Sequence, residues 1–189
     1  MTDFSQRNPV AGVSELIWQR RSPRAFIKQP LGEGVLERLM DAARWSPSCI
    51  NEQPWIFYTS TEATFPEFLG LLAEGNQKWA RNASVLGFVV ARTQFKDKEQ
   101  DNPFARFDSG AAWMAMTLQA RMEGLYTHGM GGINRDEVIQ YLNLDTRTHD
   151  LIMGFAIGVA AAPDDLDEET RARETPNARV PLSEVWISR

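Results

Sequence analysis

Three apolar runs stand out along the chain: WIFYTS at 55–60, SVLGFVVAR at 84–92 and LIMGFAIGVAA at 151–161. Their length and their β-branched and aromatic content predict strands, the second of them buried. Two helical stretches separate the first two. Before them, Val35, Leu36, Leu39, Met40 and Ala43 recur at three- and four-residue spacing, which predicts a helix over 33–45, ended where Pro47 restricts Ser46. The most regular helical pattern lies between the second and third strands, where Phe107, Ala111, Met114, Ala115, Leu118, Met122 and Leu125 form one stripe. Small residues near its start (Ser109 to Ala112) favour tight packing inside the protein over close approach by a ligand. Residues 9–20 read as a first helix, with Asn8 as cap and Pro9 at its first position. THGMGGIN, 127–134, reads as a loop leading to a helix that Asn134 caps and Glu137 completes as a capping box. After the third strand, the polar, proline-punctuated arm APDDLDEETRARETPNARVP ends in a strand-like LSEVWIS. Such an arm often reaches across to something else, a second subunit being one candidate.

Composition narrows the class. With 189 residues, 43% apolar and 24% charged, the chain suits one domain spanning 1–189. A net charge of −5 argues against a large basic surface for nucleic acid, yet leaves room for a local anion site. No apolar run approaches a membrane span, and the polar start MTDFSQRNP lacks the order of a signal peptide, so no membrane is expected and the cytoplasm is. Cys49 is the only cysteine; it excludes an internal disulfide and, with two distant histidines, a thiolate-rich zinc site, so no metal is expected. Pairing Cys49 with His128 or His149 as a nucleophile lacks an orienting third group. H-E-x-x-H, Walker and G-x-S-x-G motifs are missing, which points to a borrowed cofactor carrying any chemistry.

Three constellations remain. In WQRRSPRAF, a helix end turning at Ser22-Pro23 could aim two of Arg20, Arg21 and Arg24, with the Ser22 hydroxyl, at one anion; the alternative is a solvated basic turn. SPSCINEQPW places Ser46, Ser48, Asn51 and Gln53 between Pro47 and Pro54, suited to a flat polar ligand or merely to a capped connection. GMGG, with Gly129, Gly131 and Gly132, allows a backbone to approach a redox ring and present N–H donors, or is a flexible turn. It is not the dinucleotide fingerprint.

Taken together and in order, RRSPRAF, AARWSPSCINEQPWIFY, RFDSGAAWMAMTLQA, GLYTHGMGGIN, GFAIGVAAAPDD and NARVPLSEVW resemble the nitroreductase family of FMN-dependent oxidoreductases over almost the whole chain. The resemblance implies an α+β fold: a central mixed, mainly antiparallel sheet flanked by helices, with the C-terminal strand exchanged in a homodimer that builds two FMN sites at its interface. It implies FMN contacts from Arg20, Arg21 and Ser22 at the phosphate and ribityl end and from Arg24 at the pyrimidine side. Pro47, Ser48, Cys49 and Asn51 would lie along the isoalloxazine from the partner subunit, with Cys49 where a serine is common. Gly131 and Gly132 would donate backbone N–H groups near flavin N5, Asn76 would face the flavin, and Arg179 would sit near the phosphate. Asn177 stands where a second basic residue is frequent. The implied activity is ping-pong hydride transfer from NADH or NADPH to a nitroaromatic, quinone or other electron-poor acceptor, with no catalytic side chain required. A flavin-binding storage or sensor protein with little turnover would carry the same motifs.

Overall fold

The computed structural model describes residues 2–189. Its central strand is β5 (His149–Ala160), with β3 (Val85–Arg92) on one edge and β4 (Tyr126–Met130) together with the two-residue β1 (Phe26–Ile27) on the other; β2 (Trp55–Thr59) continues the sheet beyond β3. Every pairing is antiparallel, so among the described residues the mixed character implied by the resemblance does not arise within one chain. The helices are α1 (Glu15–Trp18), α2 (Val35–Arg44), α3 (Phe65–Gly70), α4 (Glu74–Ala80), α5 (Ala105–Met122), α6 (Arg135–Tyr141), α7 (Glu168–Ala172) and α8 (Leu182–Val185).

The period of two along β3 decides which helices go where. Leu86, Phe88 and Val90 point into one core with Phe68, Leu72, Trp79 and Val138, from α3, α4 and α6 and the turn between the first two. Val85 and Val89 point into the other with Leu39, Ala43, Ala112, Met116 and Ala120, from α2 and α5. The sheet is therefore covered on both faces, which is why β3 is apolar at nearly every position. A bulge between Val89 and Val90 lets β5 carry one extra residue, Ile152, opposite that step. It flips the parity of β5, so that Leu151 and Ala156 reach the same core. Gly87 is required where β3 passes the Phe155 ring, because a Cβ there would lie 2.3 Å from Phe155 Cζ.

The expected strands over 55–60, 84–92 and 151–161 all form, as do the helix over 33–45 and the two helical stretches between the first strands. Four expectations fail. The helix over 9–20 shrinks to Glu15–Trp18, because Gly12 adopts φ 91° and breaks the run. THGMGGIN is not all loop: residues through Met130 form β4, paired Tyr126↔Gly158 to Met130↔Gly154 with β5. Asn134 does precede α6, but its amide donates to the Glu137 carboxylate at 3.2 Å and caps no backbone N–H. LSEVWIS forms a one-turn helix, not a strand; a strand needs an edge to pair with, and this segment lies exposed, with Trp186 67% and Ile187 71% accessible.

The stripe on α5 is a different kind of surprise. The face packed into the protein is Ala105, Asp108, Ser109, Ala112, Met116, Thr117 and Ala120, all but Met116 small or polar, with the hydrogen bonds of the polar ones met internally. Ser109 Oγ donates to Ala105 O at 2.8 Å, and Thr117 Oγ1 and Thr127 Oγ1 share a bond of 2.9 Å. The small residues thus do serve close packing. Of the expected stripe, Phe107 and Met122 point outward, 78% and 62% exposed, while Leu125 is buried in the core beside Met116.

Candidate active site

Immediately after α1 the chain turns through Arg20-Arg21-Ser22-Pro23-Arg24 before entering β1. Pro23 is buried, and its carbonyl receives His128 Nδ1 of β4 at 2.9 Å. A carbonyl only accepts, so Nδ1 carries a proton. Burial pushes the His128 pKa down to about 4, with the Arg24 and Arg20 charges adding to that, against the opposing pull of the Pro23 bond. A neutral histidine thus pins the arginine turn to the sheet without adding a further positive charge.

The turn forms one wall of a cavity of about 570 Å³, within the range of small-molecule sites. Its other walls are Gln6 and Arg7 from the N-terminal segment, His128 and Gly129 from β4, and 172–179 from the C-terminal arm, including Glu174, Asn177 and Arg179. The arginines divide into two sets. Arg21 Nη1 donates to Glu174 Oε2 at 3.0 Å, and the backbone N–H of Arg24 donates to Glu174 Oε1 at 2.7 Å. Arg21 also lies over the Tyr126 ring, 5.2 Å from its centroid. Among the described residues, Arg7, Arg20 and Arg179 have no acidic partner. Burial lowers the pKa of Arg20, helped by the charge of Arg179, and burial and the charges of Arg179, Arg20 and Arg21 do the same to Arg7. Like charges held together at a cavity wall make a place for an anion. Arg20 Nη1 also donates to Ser22 Oγ at 3.2 Å, aligning the two.

Gly131 and Gly132 follow β4 at the next turn. Gly132 O accepts from Ala73 N at 3.1 Å and from Asn76 Nδ2 at 2.9 Å, so Asn76 and Gly132 do come together, through each other. A Cβ on Gly132 would fall 2.7 Å from Asn76 Nδ2. The N–H groups of Gly131 and Gly132 donate to no acceptor among the described residues, which leaves both available to a ligand.

Pro47, Ser48, Cys49 and Asn51 lie elsewhere and do not line this cavity. Their loop is held stiffly. Cys49 N donates to the buried Asp108 Oδ2 at 3.0 Å, Gln53 N to Ser48 Oγ at 2.9 Å, and Lys96 N to Glu52 Oε2 at 3.0 Å. Ile50, Asn51 and Gln53 take left-handed backbone angles, with φ 52°, 59° and 48°, a conformation that costs energy for residues with a Cβ, above all β-branched Ile50, and marks functional loops. The Ile50 side chain is 75% exposed.

Arg20, Arg21, Ser22, Arg24 and Arg179 therefore share one cavity, whereas Asn76, Gly131 and Gly132 lie outside its lining and meet each other, and the proline loop stands apart within one chain. Arg7, His128 and Glu174 were not anticipated. Arg7 and Glu174 sit in irregular segments with no periodicity to betray them, and His128 falls in the stretch expected to be loop; a histidine on a strand beside the turn would have been a usable signal.

Among the described residues no cluster of three or more His, Cys, Asp or Glu side chains could hold a metal ion, and no helix is long and apolar enough to cross a membrane.

Comparison with known proteins identifies the fold and the family. A solved crystal structure described as an oxidoreductase containing FMN is 39% identical, with a TM-score of 0.91 over 99% of this chain and 96% of that one. The CLA biosynthesis enone reductase of Lactiplantibacillus plantarum is 24% identical over 186 residues, covering 79% of this chain and 86% of that protein. The crystal structure of CLA-ER, an enone reductase of gut-bacterial fatty acid saturation, shares the fold, with a TM-score of 0.69 at 23% identity over 81% of this chain and 90% of that one. The model of the nitroreductase family matches residues 17–74 and 60–159, the span from the arginine turn through β5, and the chain belongs to the nitroreductase family.

Proposed function

We propose that the protein is an FMN-dependent NAD(P)H oxidoreductase, one FMN-binding domain over residues 1–189 that works as a homodimer. The observation that carries this reading is the cavity in which Arg7, Arg20 and Arg179 stand without acidic partners beside Ser22. A phosphate dianion suits such a donor set: guanidinium forks present paired N–H donors, and charge-assisted bonds are the strong ones. The residues present fit FMN. Arg20, Ser22 and Arg179 would hold its phosphate end and Arg24 its pyrimidine side, while Arg7 is committed to the carbonyls of Trp18, Arg20 and Asn177. The free N–H groups of Gly131 and Gly132 would face the ring, their turn fixed by Asn76. Arg21, committed to Glu174, would shape the wall.

FMN when bound supplies a two-electron carrier able to take hydride from NADH or NADPH and pass it, in ping-pong order, to an electron-poor acceptor such as a nitroaromatic, a quinone or an activated alkene. The chain's own contribution is to bind, orient and shield. Gly131 and Gly132, whose N–H groups are unpaired among the described residues, would present dipoles to charge developing on the ring and stabilise it at no reorganisation cost. Neutral His128 keeps the turn in place without adding charge. No side chain in the cavity is placed as an obligatory proton donor, which accords with chemistry carried by the cofactor.

Dimerisation is supported by the outward apolar face of α5 and by the exposed Val185, Trp186 and Ile187 of the C-terminal arm, more apolar surface than an isolated chain needs to show. In such a dimer Pro47, Ser48, Cys49 and Asn51 would reach the partner's flavin, which accounts for a strained, rigid loop with no cavity of its own.

The test is the visible spectrum of the purified protein, followed by addition of NADH or NADPH without oxygen. A flavin band that bleaches and returns with a nitroaromatic or quinone supports the oxidoreductase; flavin that remains oxidised favours storage or sensing. Protein that neither carries nor takes up FMN refutes both.

A further inference from the structure

We infer that Arg7 and Glu174 are positioning residues that clasp segment 173–179 over the anion cavity and so bring Arg179 to the phosphate, an inference that rests on the FMN reading above. The segment needs such a clasp. Residues 175–180 make no backbone–backbone hydrogen bond among the described residues, so the main chain does not hold itself in place. Pro176 is buried and supplies one apolar anchor. The remaining ties are polar and come from the other end of the chain.

At the near end of the segment, the Glu174 carboxylate is gripped by Arg24 N at 2.7 Å and Arg21 Nη1 at 3.0 Å. Its side chain is 8% exposed and that of Arg21 12%. At the far end, Arg7 Nε donates to Asn177 O at 3.1 Å, while Arg7 Nη1 donates to Arg20 O at 2.7 Å and to Trp18 O. One guanidinium thus staples the N-terminal segment, the arginine turn and the arm. Two residues beyond Asn177, Arg179 enters the cavity. Arg7 lies ahead of the span matched to the family, and Glu174 and Arg179 lie after it.

A carboxylate beside a phosphate site would ordinarily weaken it through like-charge repulsion. Here Glu174 spends its charge on Arg21 and Arg24 and leaves Arg7, Arg20 and Arg179 unneutralised, so its positioning effect is expected to exceed its repulsion. The two effects have opposite signs, which makes the proposal testable.

The measurement is flavin binding by fluorescence quenching, with FMN and with riboflavin, which has the same ring and no phosphate. It is made on the full-length protein stripped of flavin and on Glu174→Gln and Arg7→Lys, with thermal melts alongside. The first substitution keeps an acceptor for Arg24 N but loses the ion pair; the second keeps the charge, but an ammonium cannot span three carbonyls. The expected result is an FMN affinity about tenfold lower in each variant, riboflavin affinity unchanged, and FMN/riboflavin discrimination reduced to match. Tighter FMN binding by Glu174→Gln would show that repulsion dominates and overturn the proposal. Equal losses for FMN and riboflavin, or no loss, would overturn it as well. Should Glu174→Gln not fold, Arg7→Lys decides alone. Wild-type protein that binds neither flavin sinks the functional reading itself; wild-type protein that prefers FMN, with variants that keep the preference, sinks only the clasp.

Discussion

The arginine turn and the proline loop are both stiff, polar segments after a helix, yet they face different things. The turn at 20–24 closes a cavity with parts of its own chain: Arg7, His128, Glu174 and Arg179. The loop at 46–54 is tied down as firmly, by Asp108, Ser48 and Glu52, and presents left-handed residues and an exposed Ile50 to the outside. One segment finds its counterpart within the chain; the other would find its counterpart only in the proposed dimer. Backbone strain held against nothing is unstable unless something uses it, and the exposed face of α5 lies next to it, since Asp108 of α5 anchors Cys49.

The strongest break of this contrast is Phe107→Asp. In an isolated chain the residue is exposed and the change is nearly neutral, within about 0.5 kcal/mol. At a subunit interface a desolvated charge costs several kcal/mol. We expect a monomer by analytical ultracentrifugation and FMN affinity lowered by more than ~100-fold, which is about 2.7 kcal/mol. A dimer with full flavin content would return the proline loop to a mere connection.

The arginine side has its own signature in acid. The folded pKa of His128 is about 4 against an ordinary 6.5, so between those values the unfolded chain binds the proton more readily and stability rises with pH. The contribution is complete above about pH 6.5 and lost as pH falls through 4, amounting to about 3 kcal/mol. Chemical denaturation at a series of pH values should show this slope in the wild type and a shallower one in His128→Gln; parallel curves would mean that the histidine is not buried neutral.

Replacing Arg20 with alanine removes one charge-assisted donor and should weaken FMN binding by roughly 2 kcal/mol, or about 30-fold, read by flavin retention on dialysis, with the fold intact. Undiminished retention would place the phosphate elsewhere. The smallest effect is expected from Ser48→Ala, which leaves the Gln53 N–H without its acceptor. We expect about 1 kcal/mol of stability to be lost and faster hydrogen exchange confined to residues 49–53, with the arginine turn unchanged.

Much of this was legible from local pattern. Strands at 55–60, 84–92 and 151–161 follow from short apolar runs, and the arginine turn with Ser22 from a motif that suits an anion, whereas Arg179 follows only from the family resemblance. What stayed hidden had non-local causes. The stripe from Phe107 to Met122 identified a helix correctly, yet periodicity cannot say which face turns inward; that choice was made by Ser109, Thr117 and Asp108, polar residues that found partners inside the fold. Strand β4 was missed because its glycine and histidine read as a turn until β5 supplied an edge.

The sequence by itself determined the long strands and helices, the local concentration of arginine and the family to which the chain belongs, because these depend on spacing and residue type. Tertiary structure alone decided that Glu174 neutralises two arginines and spares three, that Arg7 joins them from the far end of the chain, and that α5 keeps Phe107 and Met122 outside. Charge pairing and burial are set by which surfaces meet, and residues about 150 positions apart meet only once the sheet has brought the two ends of the chain together.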